Sequence, residues 1–436
     1  MSNLLAARSQ MALSLGFHIV FAVAGIGMPL LMAYSEWLWL RTGQSEYLNL
    51  AKRWAKGTAI FFAVGAVSGT VLSFELGLLW PEFMRYAGAI IGMPFSLEGF
   101  AFFTEAIFLG LYLYGWKRLP PKWHLAAGAV VSFSGVVSGI FVVTANAWMN
   151  APAGFEMVRG HATNIRPIAA MLNPAALSQT LHMTIASYLA TGAAVVAVHA
   201  LRLLREGGAQ SAFDLAALRV ALPVTIAAAL LQPLSGDFSA RNLAERQPEK
   251  LAALEGQFET ETHAPLRIGG IPDTRTERTR FALEIPGLLS FLSTGEWDGE
   301  IKGLKHFPPW DRPNPLLVHI AFQIMVASGV ALLAVHAVAL FSWIRRKRIA
   351  PSRRLLKALA LVGPLGFLAV EAGWFVTELG RQPWIIYRVM RTSEALTPMP
   401  ALVVPFGVIT VVYLFLGLVV VSLMKWQIFE RTSDAG

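Results

Sequence analysis

The chain is 436 residues long, 55% hydrophobic and only 14% charged, with mean hydropathy +0.54, a balance that excludes an ordinary soluble domain. Its formal net charge of +9 sits in short clusters between apolar stretches, where it sets membrane topology, and this argues against a nucleic-acid-binding surface. With no cysteine, disulfides and thiolate-held iron are excluded, and metal chemistry falls to His, Met or carboxylate.

A spanning helix needs about 20 mostly apolar residues, and nine such stretches follow one another. The first, 12–40, follows a single early Arg8 and is too long for a signal-peptide core, so it is read as an uncleaved span; it carries His18. Spans at 57–79, 95–116 and 125–148 carry in turn Glu75, the pair Glu98 and Glu105, and Asn146. The fifth, 175–204, has His182 near its start, and the sixth is 215–234. A polar, Pro/Gly-punctuated segment over 236–314 comes next, too long for an idle connection, with a helix-like run at 249–261. The last spans are 316–344, with His319 and Met325; 355–377, with Glu371 and Trp374; and 401–424.

Basic clusters follow spans one, three, five and seven: Arg41, Lys52, Arg53 and Lys56; Lys117, Arg118 and Lys122; Arg202 and Arg205; then Arg345 to Arg348 with Arg353 and Arg354. Lys and Arg gather on the cytoplasmic side of short loops, which predicts an outside N-terminus, a cytoplasmic C-terminus and an outer position for 236–314. The expected fold is an all-α integral membrane protein, a polytopic bundle with six transmembrane helices in 1–235, an outer loop over 236–314, and three more helices in 315–436. No inverted internal repeat of the transporter kind is present.

An ionisable group inside a span costs about 3 kcal/mol and implies a partner, a cavity or a cofactor. His182 and Met325 lie at similar depth in spans that run the same way, so they can ligate one haem iron from both sides; His319 competes for the role, and a packed, hydrogen-bonded histidine is the plain alternative. Glu98 and Glu105 are seven residues apart, about 10 Å along one helix face, which suggests a proton path. Glu371 and Glu378 repeat that spacing, with pairing to Arg381 for helix packing as the alternative. Glu75, Glu371 and Asn146 are read as supporting residues.

Taken in order, Ser9-Gln10-Met11-Ala12-Leu13 before His18, Leu97-Glu98-Gly99 with Phe102-Phe103-Thr104-Glu105, Ala145-Asn146-Ala147-Trp148-Met149, Ile324-Met325-Val326-Ala327, and Glu371-Ala372-Gly373-Trp374-Phe375 followed by Gly380-Arg381-Gln382-Pro383-Trp384 resemble subunit I of cytochrome bd-type quinol oxidases across all nine spans. The resemblance implies a low-spin haem b held by His182 and Met325. It also implies His18 and Glu378 as axial ligands of two high-spin haems, one a haem b and the other haem d or a second haem b, with Trp374 and Arg381 in their neighbourhood. Gln247, Lys250 and Glu255 resemble the family's quinol-binding stretch, although Lys250 and Glu255, five apart, are not ideal helix neighbours. Gln323 stands where some relatives have Arg, and the short 236–314 segment resembles the cyanide-insensitive branch, which need not contain haem d. The activity implied is oxidation of ubiquinol or menaquinol with reduction of dioxygen to water in the bacterial cytoplasmic membrane, generating proton motive force. The partners implied are a membrane-embedded subunit II and a single-span accessory subunit. The competing readings are a haem b anchor without an oxygen site and a haem-free transporter.

Overall fold

The computed structural model describes residues 1–205, 211–347, 349 and 351–430. Helix α1 (Asn3–Thr42) starts where the Ser2 hydroxyl accepts the Leu5 amide and stops where Gly43 turns left-handed. Helices α2 (Ser45–Leu79), α3 (Pro81–Tyr114) and α4 (Pro121–Asn150) follow, the last two opening on a proline whose missing N–H is harmless in a first turn. A hairpin of β1 (Glu156–Val158) and β2 (His161–Thr163) and a short α5 (Pro167–Met171) lead to α6 (Ala176–Arg205) and α7 (Ser211–Arg246).

Helix α8 (Pro248–Glu255) opens the long connection, which continues through β3 (Leu266–Ile268), β4 (Ile271–Asp273), β5 (Arg278–Arg280), β6 (Leu283–Ile285) and α9 (Leu288–Thr294). Strand β3 pairs antiparallel with β6, enclosing the β4–β5 hairpin. Helix α10 (Pro315–Arg346), its first turn capped by Asn314, is followed by α11 (Arg353–Val362), α12 (Leu365–Arg381), a hairpin of β7 (Trp384–Ile386) and β8 (Met390–Arg391), and α13 (Val403–Met424).

Nine helices among the described residues are long and apolar enough to cross a membrane, with 353–381 counted as one. That span is interrupted at Gly363 and Pro364, because proline has no N–H to continue the ladder. The helix-like run at 249–261 ends early, at Glu255, because Gly256 adopts φ +61 and closes the helix. Helix α13 buries only Tyr413 and Val420 and turns the rest of its apolar surface outward, as a helix solvated by lipid does.

The helices pack by close backbone approach. A Cβ on Gly27 of α1 would lie 2.4 Å from Thr191 of α6, and one on Gly192 would lie 2.2 Å from Thr225 of α7. Large side chains then gather at the two ends of the bundle. At one end Trp80, Phe83, Ile90, Trp148 and Ile386 pack together beneath the long connection; this is the loop end. At the other, Met32, Trp54, Tyr112, Leu218 and Leu355 pack among the basic clusters, with Lys52 over Trp116, Arg53 over Phe213, and Arg202 paired to Asp214. This is the basic end; Arg348 of the expected cluster lies outside the described residues.

Candidate functional site

His182 is held by α7: its Nδ1 is 3.0 Å from the Ser235 hydroxyl, and the Gln232 amide is 3.1 Å from Nε2. Seven residues inward from His182 is Leu189, and seven inward from Met325 is Leu332. Both leucines belong to one buried cluster with Ala228 and Val362. Residues seven apart share a helix face, so His182 and Met325 stand at equal depth about two turns above that layer, inside the ring formed by α6, α7, α10 and α12. Gly373 leaves room beside the thioether: a Cβ there would be 3.0 Å from Met325 Sδ. His319 is occupied elsewhere. Its Nδ1 and Nε2 lie 2.7 Å and 2.9 Å from the Leu254 and Gly269 carbonyls, so fixed backbone holds both nitrogens and ties the long connection to α10, whereas the Nε2 partner of His182 is a side-chain amide that can swing aside.

His18, on α1, sits against α2, with Nδ1 3.0 Å from the Ser68 hydroxyl; a Cβ on Gly69 would be 3.1 Å from the ring. Glu378, near the end of α12, accepts from the Asn146 amide at 2.7 Å and from Arg381 Nη2 at 2.5 Å, so the expected pairing with Arg381 is present. The other two Arg381 guanidinium nitrogens, Trp374 Nε1, Trp384 Nε1 and Glu371 Oε1 are buried with no hydrogen-bond partner in the protein. Buried donors are almost always satisfied, so this set on and just after α12 calls for a further acceptor-rich group. Glu75 is accounted for within the protein, accepting from Gln10 and Ser14 at 2.9 Å.

Glu98 accepts from Ser138 at 3.2 Å, and Glu105 lies where a Cβ on Gly135 would be 3.4 Å from its carboxylate and 3.4 Å from the Gly25 carbonyl. Gly25 is seven residues beyond His18 on α1, and Glu98 is seven residues back from Glu105 on α3. Glu105 therefore sits two turns deeper than His18, and Glu98 about level with it. Among the described residues no cluster of three or more His, Asp or Glu is built to hold a bare metal ion.

The three quinol-site candidates divide between the two ends of α8. Gln247 donates to the Asn150 carbonyl at 2.7 Å, and Lys250 Nζ donates to Asn150 Oδ1 at 3.2 Å and to the Thr377 carbonyl at 3.1 Å. Burial, reinforced by Arg381 and opposed by Glu378, lowers the Lys250 amine to about 7. Glu255, at the far end, is not paired with Lys250. Burial raises its carboxyl to about 8 against the pull of Arg267, and its Oε2 has no partner. A cavity of about 350 Å³ opens nearby, lined by Ile271, Pro272, Asp273, Phe281 and Leu316 among others; a Cβ on Gly256 would be 3.2 Å from Pro272. Gln323 accepts from the Gly269 amide at 2.9 Å and donates to the Arg267 carbonyl at 3.0 Å, bracing the turn between β3 and β4.

Two residues of this site went unmarked in the sequence. Asn150 also donates to the Asn146 carbonyl at 3.0 Å and so joins α8 to the Asn146–Glu378 pair. Tyr387 donates to Glu249 at 2.6 Å, and burial together with that carboxylate pushes the phenol up. An asparagine at a helix end and a tyrosine in a hairpin carry no spacing signal, and only the folded chain reveals them.

A polytopic helical bundle that carries His182 and Met325 at one depth on α6 and α10, Glu378 among unpartnered buried donors on and just after α12, and His18 between α1 and α2 fits an integral-membrane redox protein. Comparison with known proteins is specific. The family model described as cytochrome bd terminal oxidase subunit I matches residues 6–431. A protein of Bacillus subtilis (strain 168), provisionally named a cytochrome bd menaquinol oxidase subunit I, is 37% identical over 100% of this chain and 98% of its own. The cytochrome bd ubiquinol oxidase subunit 1 of the same organism is 34% identical over 98% of this chain and 94% of its own. The solved bd oxidase of Geobacillus thermodenitrificans superposes with a TM-score of 0.91 at 37% identity, covering 98% of both chains. The chain belongs to the cytochrome bd terminal oxidase subunit I family, and is a multi-pass protein of the bacterial cytoplasmic membrane.

The family implies haem, and the residues present fit it. His18 and Met325, lodged against Gly69 and Gly373, are donors of the kind haem iron takes, and the unpartnered Arg381 and Trp384 donors suit a group bearing anionic side chains.

Proposed function

We propose that this chain takes electrons from membrane quinol at α8 and delivers them to dioxygen within the same bundle. In this reading His182 and Met325 hold a low-spin haem b, and His18 and Glu378 hold two high-spin haems, a haem b and either haem d or a second haem b. Haem held by these residues would supply the one-electron chemistry that links quinol oxidation to dioxygen reduction. The carrying observation is the equal depth of His182 and Met325 above the Leu189–Leu332 layer on facing helices.

The chain's own groups do the rest. Lys250 and Glu255, with Gln247, orient the quinol head group and take its protons; an amine near 7 and an acid near 8 are matched to proton transfer close to neutrality. Asn146 and Arg381 fix the Glu378 carboxylate from two sides. Trp374, whose indole N–H is unpartnered in the protein, packs beside them as part of the same neighbourhood. Glu98 and Glu105 carry protons for water formation. The basic end faces the cytoplasm and residues 236–314 face outward, because Lys and Arg are retained on the inner side. Partner chains are a membrane-embedded subunit II and a single-span accessory subunit, and the quinol is ubiquinol or menaquinol.

The test is a dithionite-reduced spectrum of the purified complex with and without carbon monoxide, together with quinol-driven oxygen uptake. A carbon-monoxide shift and oxygen uptake are expected. A reduced spectrum indifferent to carbon monoxide would identify an electron-passing anchor and overturn the oxygen-site assignment.

A further inference from the structure

The carboxylate stripe on α3 does not stop at Glu105. Seven residues further toward the basic end is Tyr112, fully buried, its ring against the position a Cβ on Gly128 of α4 would take, 2.7 Å away. Beside it lies an ionisable pair sealed from solvent. His124 Nδ1 is 2.7 Å from Glu36 Oε1 and His124 Nε2 is 2.9 Å from the Tyr112 carbonyl, with Glu36 0% and His124 2% exposed.

The register agrees on all three helices. On α1, Glu36 is eleven residues beyond Gly25, whose carbonyl marks the Glu105 level. On α4, His124 is eleven residues before Gly135, which marks the same level. Seven and eleven residues both return to the same helix face, so the three groups meet on the Glu105 stripe about 10 to 16 Å nearer the basic end. Ser132, buried, stands on α4 between Gly128 and Gly135 and divides the interval.

Packing alone does not account for this cluster. A buried ionisable pair costs desolvation that an apolar pair of equal volume avoids, so it is a poor choice for merely holding α1 to α4. Glu36 Oε2 and Tyr112 Oη are also buried and have only each other as a partner, so the phenol extends the pair into a chain of exchangeable protons. Its other side approaches the basic end: the His124 ring lies 4.0 Å from that of Trp116, over which sits Lys52 of α2. The titratable groups around the pair are thus Tyr112 on α3 and, across Trp116, Lys52 on α2.

We infer that Glu36, His124 and Tyr112 form the entrance of the proton route that leads to Glu105. One proton moves from His124 Nδ1 to Glu36 Oε1, the carboxylic acid rotates and releases that same proton past Tyr112 and Ser132 to Glu105, and the imidazole ring turns and takes one back at Nδ1 from the basic-end aqueous phase. Each passage leaves the cluster's charge unchanged, and electrons come from the oxidase reaction itself. The inference rests on the proposed proton role of Glu98 and Glu105.

The intact oxidase in proteoliposomes, carrying Glu36→Gln, His124→Gln or both, decides it. The double variant keeps a hydrogen-bonding pair and so controls for folding, and Glu36→Asp restores an acid. Oxygen uptake and dye-reported proton uptake from the basic-end side are expected to fall at least tenfold in both glutamine variants, more steeply as pH rises, and to recover in Glu36→Asp. Quinol reduction of the low-spin haem stays at the wild-type rate. Infrared difference spectra should show a deuterium-sensitive carboxylic-acid band missing in Glu36→Gln. Wild-type proton uptake in both variants while Glu105→Gln loses it would overturn this entrance and leave the stripe standing. Full activity in Glu105→Gln would instead remove the stripe reading on which it rests.

Discussion

Glu255 shows how burial sets chemistry at a single residue. Its carboxyl has a folded value of about 8 against the usual 4.5, because burial opposes the charge more than Arg267 favours it. Between those pH values the docked helix holds a proton that an undocked chain releases. The stabilisation is therefore complete below pH 4.5 and is lost as pH rises through about 8. Protection of the amides across 251–257, taken relative to their intrinsic exchange rates at each pH, is expected to fall at least tenfold between pH 5.5 and 9, and Glu255→Gln to flatten that dependence; an unchanged slope in the variant would count against this account. His182, Met325, His18 and Glu378 stand out in the sequence as candidates because an ionisable or soft residue in an apolar span is conspicuous, while the roles proposed for His18 and Glu378 come from the family resemblance. The competing reading of His319 fell only when its two carbonyl partners, 65 and 50 residues away in sequence, came into view.

At the scale of elements, hydrophobic length gave the helices, while their contacts rest on residues with almost no side chain. Gly27 lies close against Thr191 where α1, which carries His18, meets α6, which carries His182. Gly27→Ala is expected to force these helices apart, cost about 1 to 3 kcal/mol, and lower both the thermal midpoint and haem content; Thr191→Gly in the same chain should restore much of the loss. A Gly27→Ala protein with unchanged melting and pigment would refute the contact. The break at Pro364 and the early stop at Gly256 were marked by the residues themselves, though a nine-span count passes over both. The β3–β6 and β4–β5 pairs were not legible, since three-residue strands carry too little alternation to stand out.

For the whole molecule, the chain sorts its functions by end. The proposed haem-ligand and quinol-site residues lie toward the loop end, and the basic clusters gather at the other, a polarity that alternating loop charge marks in the sequence. Protease added to sealed right-side-out cells or vesicles is expected to cut within 269–281, where Phe281 is 89% exposed, and to leave the α10–α11 connection intact. Cleavage at the basic end under the same conditions would invert the proposed topology.

Asn150 adds a thermodynamic consequence. Gln247 and Lys250 are already engaged by its carbonyl and its side-chain oxygen. A ligand that recruits either group exchanges one hydrogen bond for another and gains little net enthalpy from the head group. Apparent affinity for a ligand added from water must then come chiefly from moving its apolar tail out of water, so short-tailed analogues should bind weakly even with an identical ring.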